Sequence, residues 1–267
     1  LTVNNDKLMM KRRQLMRYVP MGVCAALATS LSAGTQPSRA QTSDSLSVQW
    51  LGHTCFLFAG GGQRVLVNPF KPLGCTAGYR PPNVAADLVL ISSQLLDEGA
   101  LEIVPGNPRL LYEAGVYQLG GKPIQGIQIA HDREGGRRFG INVVWKWTQG
   151  GINIVHLGGG AAPISIEQKI LMGRPDLLLL PVGGGAKAYT PQEAKQAMQV
   201  LNPKMVIPTH YRTQAADANN CDISPVDEFL SLVNKASIRP INSDTMTLSP
   251  ADLPAEGAAI SVLSYKF

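Results

Sequence analysis

Residues 86–101, ADLVLISSQLLDEGAL, constrain this chain more than any other stretch. Leu88-Val89-Leu90-Ile91 is a continuous apolar run behind an acidic residue, which predicts a short strand covered on both faces. Apolarity stops at Ser92-Ser93, and the stretch closes on Asp97-Glu98-Gly99. A buried strand whose C-terminal tip opens into a polar loop is a common place for an α/β protein to keep its chemistry. Function is therefore sought first in that loop.

On either side the chain has two textures. Up to residue 156 it reads as strands and hairpins: 47–52, 54–59 and 64–67 around Gly60-Gly61-Gly62, then 115–119 with 124–130, and 142–147 with 152–156. Residues 71–84 carry Pro72, Gly74, Cys75, Gly78, Pro81 and Pro82, and form a loop. From Ser165 helices alternate with strands. Ser165-Ile166-Glu167-Gln168 predicts a capping box for a helix ending at Gly173. Thr190-Pro191-Gln192-Glu193 opens a second helix, with Ala194, Ala197, Met198 and Leu201 on one face, and Ser224-Pro225 a third. Residues 177–180 and 205–207 are buried strands, and 237–241 a further one.

The order of WLGHTCFLF, VLVNPF, ADLVLISSQLLDEGAL, INIVHLGGG, LLLLPVGGGAKAYTPQEA and LNPKMVIPTHY resembles the metallo-β-lactamase superfamily, in its lactonase-like branch. The resemblance runs over residues 47–211. It implies an α/β fold, a four-layer αββα sandwich with sheets inside and helices outside, in one domain over residues 41–267. The family loop T-H-x-H-x-D-H holds two zinc ions; here its histidines fall on Ser93, Leu95 and Glu98, and its aspartate on Asp97. The family's Asp-Pro turn is Asn68-Pro69, and the aspartate of its I-V-H-L-G-D motif is Gly159.

What the resemblance leaves is a partial ligand set. His156 falls on a ligand of the first metal and His210 on a ligand of the second, so Asp97, Glu98, His156 and His210 are the candidate metal ligands, and Asp97, His156 and His210 the candidate catalytic residues. With Ser93 and Leu95 replacing imidazoles, the first site cannot close a tetrahedral shell. The cofactor implied is one divalent metal, zinc by the resemblance, or none. His131-Asp132 resembles a His-Asp pair near the pocket in this branch and is the candidate substrate-binding pair, with Arg133, Arg137 and Arg138 beside it. His53, in a Gly-His pair, is expected to support the pocket by hydrogen bonding without a catalytic role. Two functions compete: a relative that is non-catalytic, with a binding or scaffolding role, or of changed chemistry, favoured because the losses are confined to ligands, and a single-metal hydrolase of a small ester or lactone.

Lys11-Arg12-Arg13-Gln14-Leu15-Met16-Arg17 resembles a twin-arginine export signal. A weakly apolar segment, 18–33, and the small-x-small site Ser38-Arg39-Ala40 follow it, giving a signal peptide over residues 1–40 and a periplasmic or thylakoid-lumen destination. That segment is shorter than the roughly 20 apolar residues of a membrane span, so no membrane insertion is expected after cleavage. Residues 1–40 hold six of the 24 basic and one of the 19 acidic residues, leaving 18 of each in the remainder. The basic pI belongs to the leader, which excludes a nucleic-acid partner and leaves a small-molecule ligand or another protein. Of the four cysteines, Cys24 departs with the leader and Cys55 sits in an apolar run as a small hydrophobe. Cys75 and Cys221 lie in Gly-, Asn- and Asp-rich loops and either pair in an oxidising compartment or remain free thiols.

Overall fold

The computed structural model describes residues 45–267. The signal segment and cleavage site expected within residues 1–40 lie outside the described residues. β1 (Leu46–Gly52) alternates buried and half-buried positions, as a strand with one covered face does. β2 (Cys55–Gly60) and β3 (Gln63–Val67) fold back through Gly61 and Gly62, whose φ values of 60° and 76° favour glycine. β4 (Leu88–Leu90) and β5 (Arg109–Leu111) extend the sheet in parallel. Parallel neighbours need a crossover. Pro105, Gly106 and Pro108 deny this one a long helix, and it contains a three-residue 3-10 turn at Leu101–Ile103.

The second sheet starts as an antiparallel ribbon of β6 (Gly115–Leu119), β7 (Lys122–Ala130), β8 (Ile141–Gln149) and β9 (Ile152–His156). Then come α1 (Ile166–Met172), β10 (Leu177–Pro181), α2 (Pro191–Leu201), β11 (Met205–Thr209) and α3 (Val226–Leu230). β12 (Ile238–Pro240), β13 (Thr245–Leu248) and β14 (Ala259–Val262) close the chain. The six-stranded sheet runs β13-β1-β2-β3-β4-β5, and the eight-stranded one β12-β14-β11-β10-β9-β8-β7-β6. β9, β10, β11 and β14 are parallel neighbours, so their tips open at one end of the sheet.

Both expected capping boxes form: Ser165 accepts from the Gln168 N–H and Thr190 from the Glu193 N–H. α3 departs from expectation, because Pro225 takes the N-cap position and no side chain caps the helix. The strand expected at 237–241 is shorter, its start drawn into a 3-10 turn at Lys235–Ser237.

The two sheets meet through aromatic contacts and a few polar ties. Phe58 of β2 and Trp147 of β8 stand edge to face with centroids 5.0 Å apart. The fully buried Trp145 donates its indole N–H to the Ile91 carbonyl at 3.1 Å, fixing β8 beneath the tip of β4. α1 packs on β7, α2 on β10 and α3 on α2. The result is the expected α/β sandwich with two sheets inside. Within the six-stranded sheet, however, the β3–β4 and β4–β5 connections carry only 3-10 turns, at Gly74–Thr76 and Leu101–Ile103, in place of α-helices. None of the described helices is long and apolar enough to cross a membrane.

Candidate metal centre

Three strand ends build the site by turning sharply. His53 follows β1 with φ 53°, Asn68 follows β3 with φ 52°, and His210 follows β11 with φ 51°. Left-handed backbone is costly for a residue with a Cβ and concentrates at functional sites. Gly52 makes the first turn feasible: at its φ of 117° a Cβ would fall 2.6 Å from the Tyr79 ring. The His53 and His210 rings then lie with centroids 4.2 Å apart.

The polar loop after β4 is aimed at them by its own hydrogen bonds. Asn68 Oδ1 accepts from the Ser92 N–H at 2.8 Å, and the N–H groups of Glu98 and Gly99 both donate to the Leu95 carbonyl. The resulting turn brings Asp97 Oδ2 within 3.8 Å of His53 Nε2. One donor atom each from His53, Asp97 and His210 lies within 4.8 Å of the others. All three line a cavity of about 370 Å³, together with Leu96, Lys187 and the disulfide sulfur-bearing Cys75.

Burial sets the protonation of the cluster. It pushes the His53 imidazole down to about 4, against the pull of Asp97, and pushes His210 well below its usual range, with His53 and Lys187 acting in the same direction. Both rings are neutral near pH 7, with a lone pair available. Burial works against the Asp97 carboxylate, yet the Lys187 ammonium holds it at about 2. Neither nitrogen of either ring has a hydrogen-bond partner among the described residues. Each such buried orphan nitrogen costs about 1–3 kcal/mol, so two unpartnered imidazoles beside a carboxylate are suited to a cation with nitrogen and oxygen ligands.

The remaining sequence-derived candidates are placed elsewhere. Glu98 turns away from the cluster: Ser93 Oγ donates to its Oε2 at 2.8 Å, and His131 Nε2 stands 3.5 Å from the same oxygen. Burial, followed by the nearby Asp97 charge, lifts the Glu98 carboxyl to about 7. His131 is fully buried beside Glu98 and held down to about 4 by burial. The expectation that Asp132 binds substrate is corrected, because both its oxygens are consumed by the N–H groups of Glu134, Gly136, Arg138 and Phe139. His156 is corrected too. Its Nε2 lies 3.1 Å from the Thr54 carbonyl and its Nδ1 accepts from the Gly158 N–H at 3.1 Å, so neither nitrogen is left for a metal. Cys75 and Cys221 form a disulfide, and both sit at the cavity's edge or next to residues that line it.

Two members of the site escaped the sequence reading. The sequence predicts only a supporting part for His53, although its strand-end position is the same signal that singles out His210. Lys187, two residues past the glycine turn Gly183–Gly185 that follows β10, pairs with Asp97 Oδ2. The signal that could have found it is its place beyond the tip of a buried parallel strand.

The Beta-lactamase superfamily domain matches residues 47–210. A UPF0173 metal-dependent hydrolase of Methanoregula boonei is 31% identical over 202 residues, covering 65% of this chain and 87% of that protein. A second, from Thermoplasma acidophilum, is 26% identical over 199 residues, covering 64% and 85%. Among solved structures, a Thermotoga maritima protein described as a candidate Zn-dependent hydrolase of the metallo-beta-lactamase superfamily superposes with a TM-score of 0.64 at 30% identity, over 82% of this chain and all 100% of that one. Igni18, a metallo hydrolase from Ignicoccus hospitalis, gives a TM-score of 0.54 at 19% identity over 77% and 99%, a likeness of fold alone.

Proposed function

Because the chain belongs to the metallo-β-lactamase-fold family of metal-dependent hydrolases, we propose that it hydrolyses a small ester or lactone with one divalent ion held by His53, Asp97 and His210. The observation that carries this reading is the convergence of those three donors within 4.8 Å, with all four imidazole nitrogens unpartnered among the described residues. Ligand positions lost at Asn68, Ser93, Leu95 and Gly159 weigh the sequence toward a binding module or a changed chemistry. With His53 among the donors, the two-histidine, one-carboxylate set of a catalytic ion is complete.

A metal there supplies Lewis acidity toward a carbonyl oxygen and acidification of water. The protein's own part is to keep both imidazoles neutral by burial, keep Asp97 ionised, and admit a substrate through a cavity at the small end of the range for ligand sites. Mixed lining, with Leu96 and Phe139 beside Lys187 and Arg138, suits a compact molecule with one polar reacting group.

Metal analysis after chelation and reconstitution, with His53→Ala, Asp97→Ala and His210→Ala alongside, tests this. About one equivalent of metal is expected, lost in each variant together with esterase or lactonase activity. Absence of stoichiometric metal under every loading condition would overturn the hydrolase and leave a binding module. We further propose export by the twin-arginine route, supported by a disulfide that persists in oxidising compartments. Retained export of an Arg12→Lys, Arg13→Lys variant would refute it.

A further inference from the structure

Lys187 is held at the candidate metal centre by construction. Arg133 donates to the carbonyls of Gly185 and Ala188, on either side of it, at 2.9 and 2.8 Å, and is itself locked by a two-pronged pair with Glu193. On the inner side the Lys187 carbonyl passes close to Gly159, where a Cβ would stand 3.1 Å from it. The loop is thus pinned from both flanks, and it delivers the lysine ammonium to Asp97 Oδ2, the same oxygen that faces His53. Lys187 is a quarter exposed and lines the cavity.

The charges at this point already balance. Asp97 is the one acidic group among the three donors, and the Lys187 ammonium pairs with it through Oδ2. The other basic groups on the cavity wall are engaged elsewhere, Lys71 with Glu102 at 2.6 Å and Arg138 over the Phe139 ring. A divalent ion arriving at the two imidazoles therefore meets a carboxylate whose charge is cancelled, and must share it with an ammonium it repels.

Resting on the single-metal reading of the same site, we infer that Lys187 is a tethered cation that competes with the metal for Asp97 and so sets how tightly this centre loads. Metal entry exchanges the ammonium of Lys187 for the ion at Asp97 Oδ2, and metal departure returns it. When no metal is supplied, the Asp97 carboxylate stays paired with the Lys187 ammonium on the cavity wall.

The test is a Co(II) titration of the oxidised, metal-free protein, read by visible absorption, for the wild type, Lys187→Met and Lys187→Arg. Removing one unit charge at this range predicts that Lys187→Met binds Co(II) at least about tenfold more tightly than the wild type, with Lys187→Arg staying close to the wild type. Circular dichroism checks that each variant is folded. Cobalt bound by Lys187→Met and not by the wild type would support the inference while defeating the single-metal reading of the native chain. Equal or weaker binding by Lys187→Met, with about one equivalent bound by the wild type, overturns the competitor and leaves that reading intact. No binding by any of the three overturns both.

Discussion

Gly159 is in contact with His131 because it lacks a side chain: a Cβ at position 159 would fall 2.4 Å from His131 Nε2 and 2.8 Å from Glu98 Oε1. The resemblance places an aspartate there. In this chain the space a side chain would need there is taken by His131, Glu98 and the Lys187 carbonyl. Gly159→Ala should destabilise the fold by about 1–3 kcal/mol through overpacking, read as a lower urea midpoint with unchanged slope. A variant as stable as the wild type would show that His131 and Glu98 move aside freely.

His156 separates a structural histidine from a ligand. Both its nitrogens serve backbone groups, those of Thr54 and Gly158. His156→Ala should cost about 2–4 kcal/mol, from lost packing and an unpaired buried carbonyl, while metal stoichiometry in the folded variant stays that of the wild type. Loss of metal from a variant that remains folded would return His156 to the site.

The Cys75–Cys221 disulfide closes a separation of 146 residues. In the chain-entropy model a loop of that size is worth about 5 kcal/mol, so reduction should lower the denaturation midpoint strongly. Since Gly74, Cys75, Asn220 and Asp222 all border the cavity, Cys75→Ser should also raise KM more than it lowers kcat. An unchanged midpoint on full reduction would contradict the first expectation, and an unchanged KM the second.

Buried histidines make the metal-free protein acid-sensitive. Burial lowers His53 and His131 to about 4 and His156 to about 3 from their ordinary 6.5, and holds His210 well below that ordinary value. The unfolded chain therefore binds more protons between pH 4 and 6.5, and stability rises with pH across that window. Glu98 opposes this. Its carboxyl, raised by burial from 4.5 to about 7, keeps a proton in the fold that the unfolded chain has lost, so its contribution falls as pH rises from 4.5 to 7. The histidines outnumber it, and stability should drop on going from pH 6.5 to 4. Glu98→Gln should steepen the slope above pH 4.5. A flat or inverted profile of urea midpoint against pH would refute the assignment.

Local rules carried much of this structure on the surface of the sequence. The all-apolar Leu88–Leu90 became a strand buried on both faces, and the two capping boxes at Ser165 and Thr190 start their helices where the side chains say they should. These follow from burial and from hydrogen bonds between residues close in sequence. β13 and β14 were not legible, because short strands at the chain's end owe their form to β1 and β11, which lie far from them in sequence.

Asp97 and His210 were identifiable as polar residues at the ends of apolar strands. What their neighbours do was decided only by folding. His53 and His156 look alike in sequence, each beside the end of an apolar stretch, yet one faces His210 and Asp97 with its nitrogens unpartnered among the described residues, and the other is tied to backbone on both sides. Asp132 is anionic in either reading, but only the folded loop shows four N–H groups converging on it. Lys187 is separated from Asp97 by 90 positions, and no local pattern joins them. The sequence determines which donors exist and which strand ends they occupy. Which of them share an ion, a hydrogen bond or a charge is set by tertiary structure, because ligation and pairing act over a few ångströms between residues that the chain itself keeps far apart.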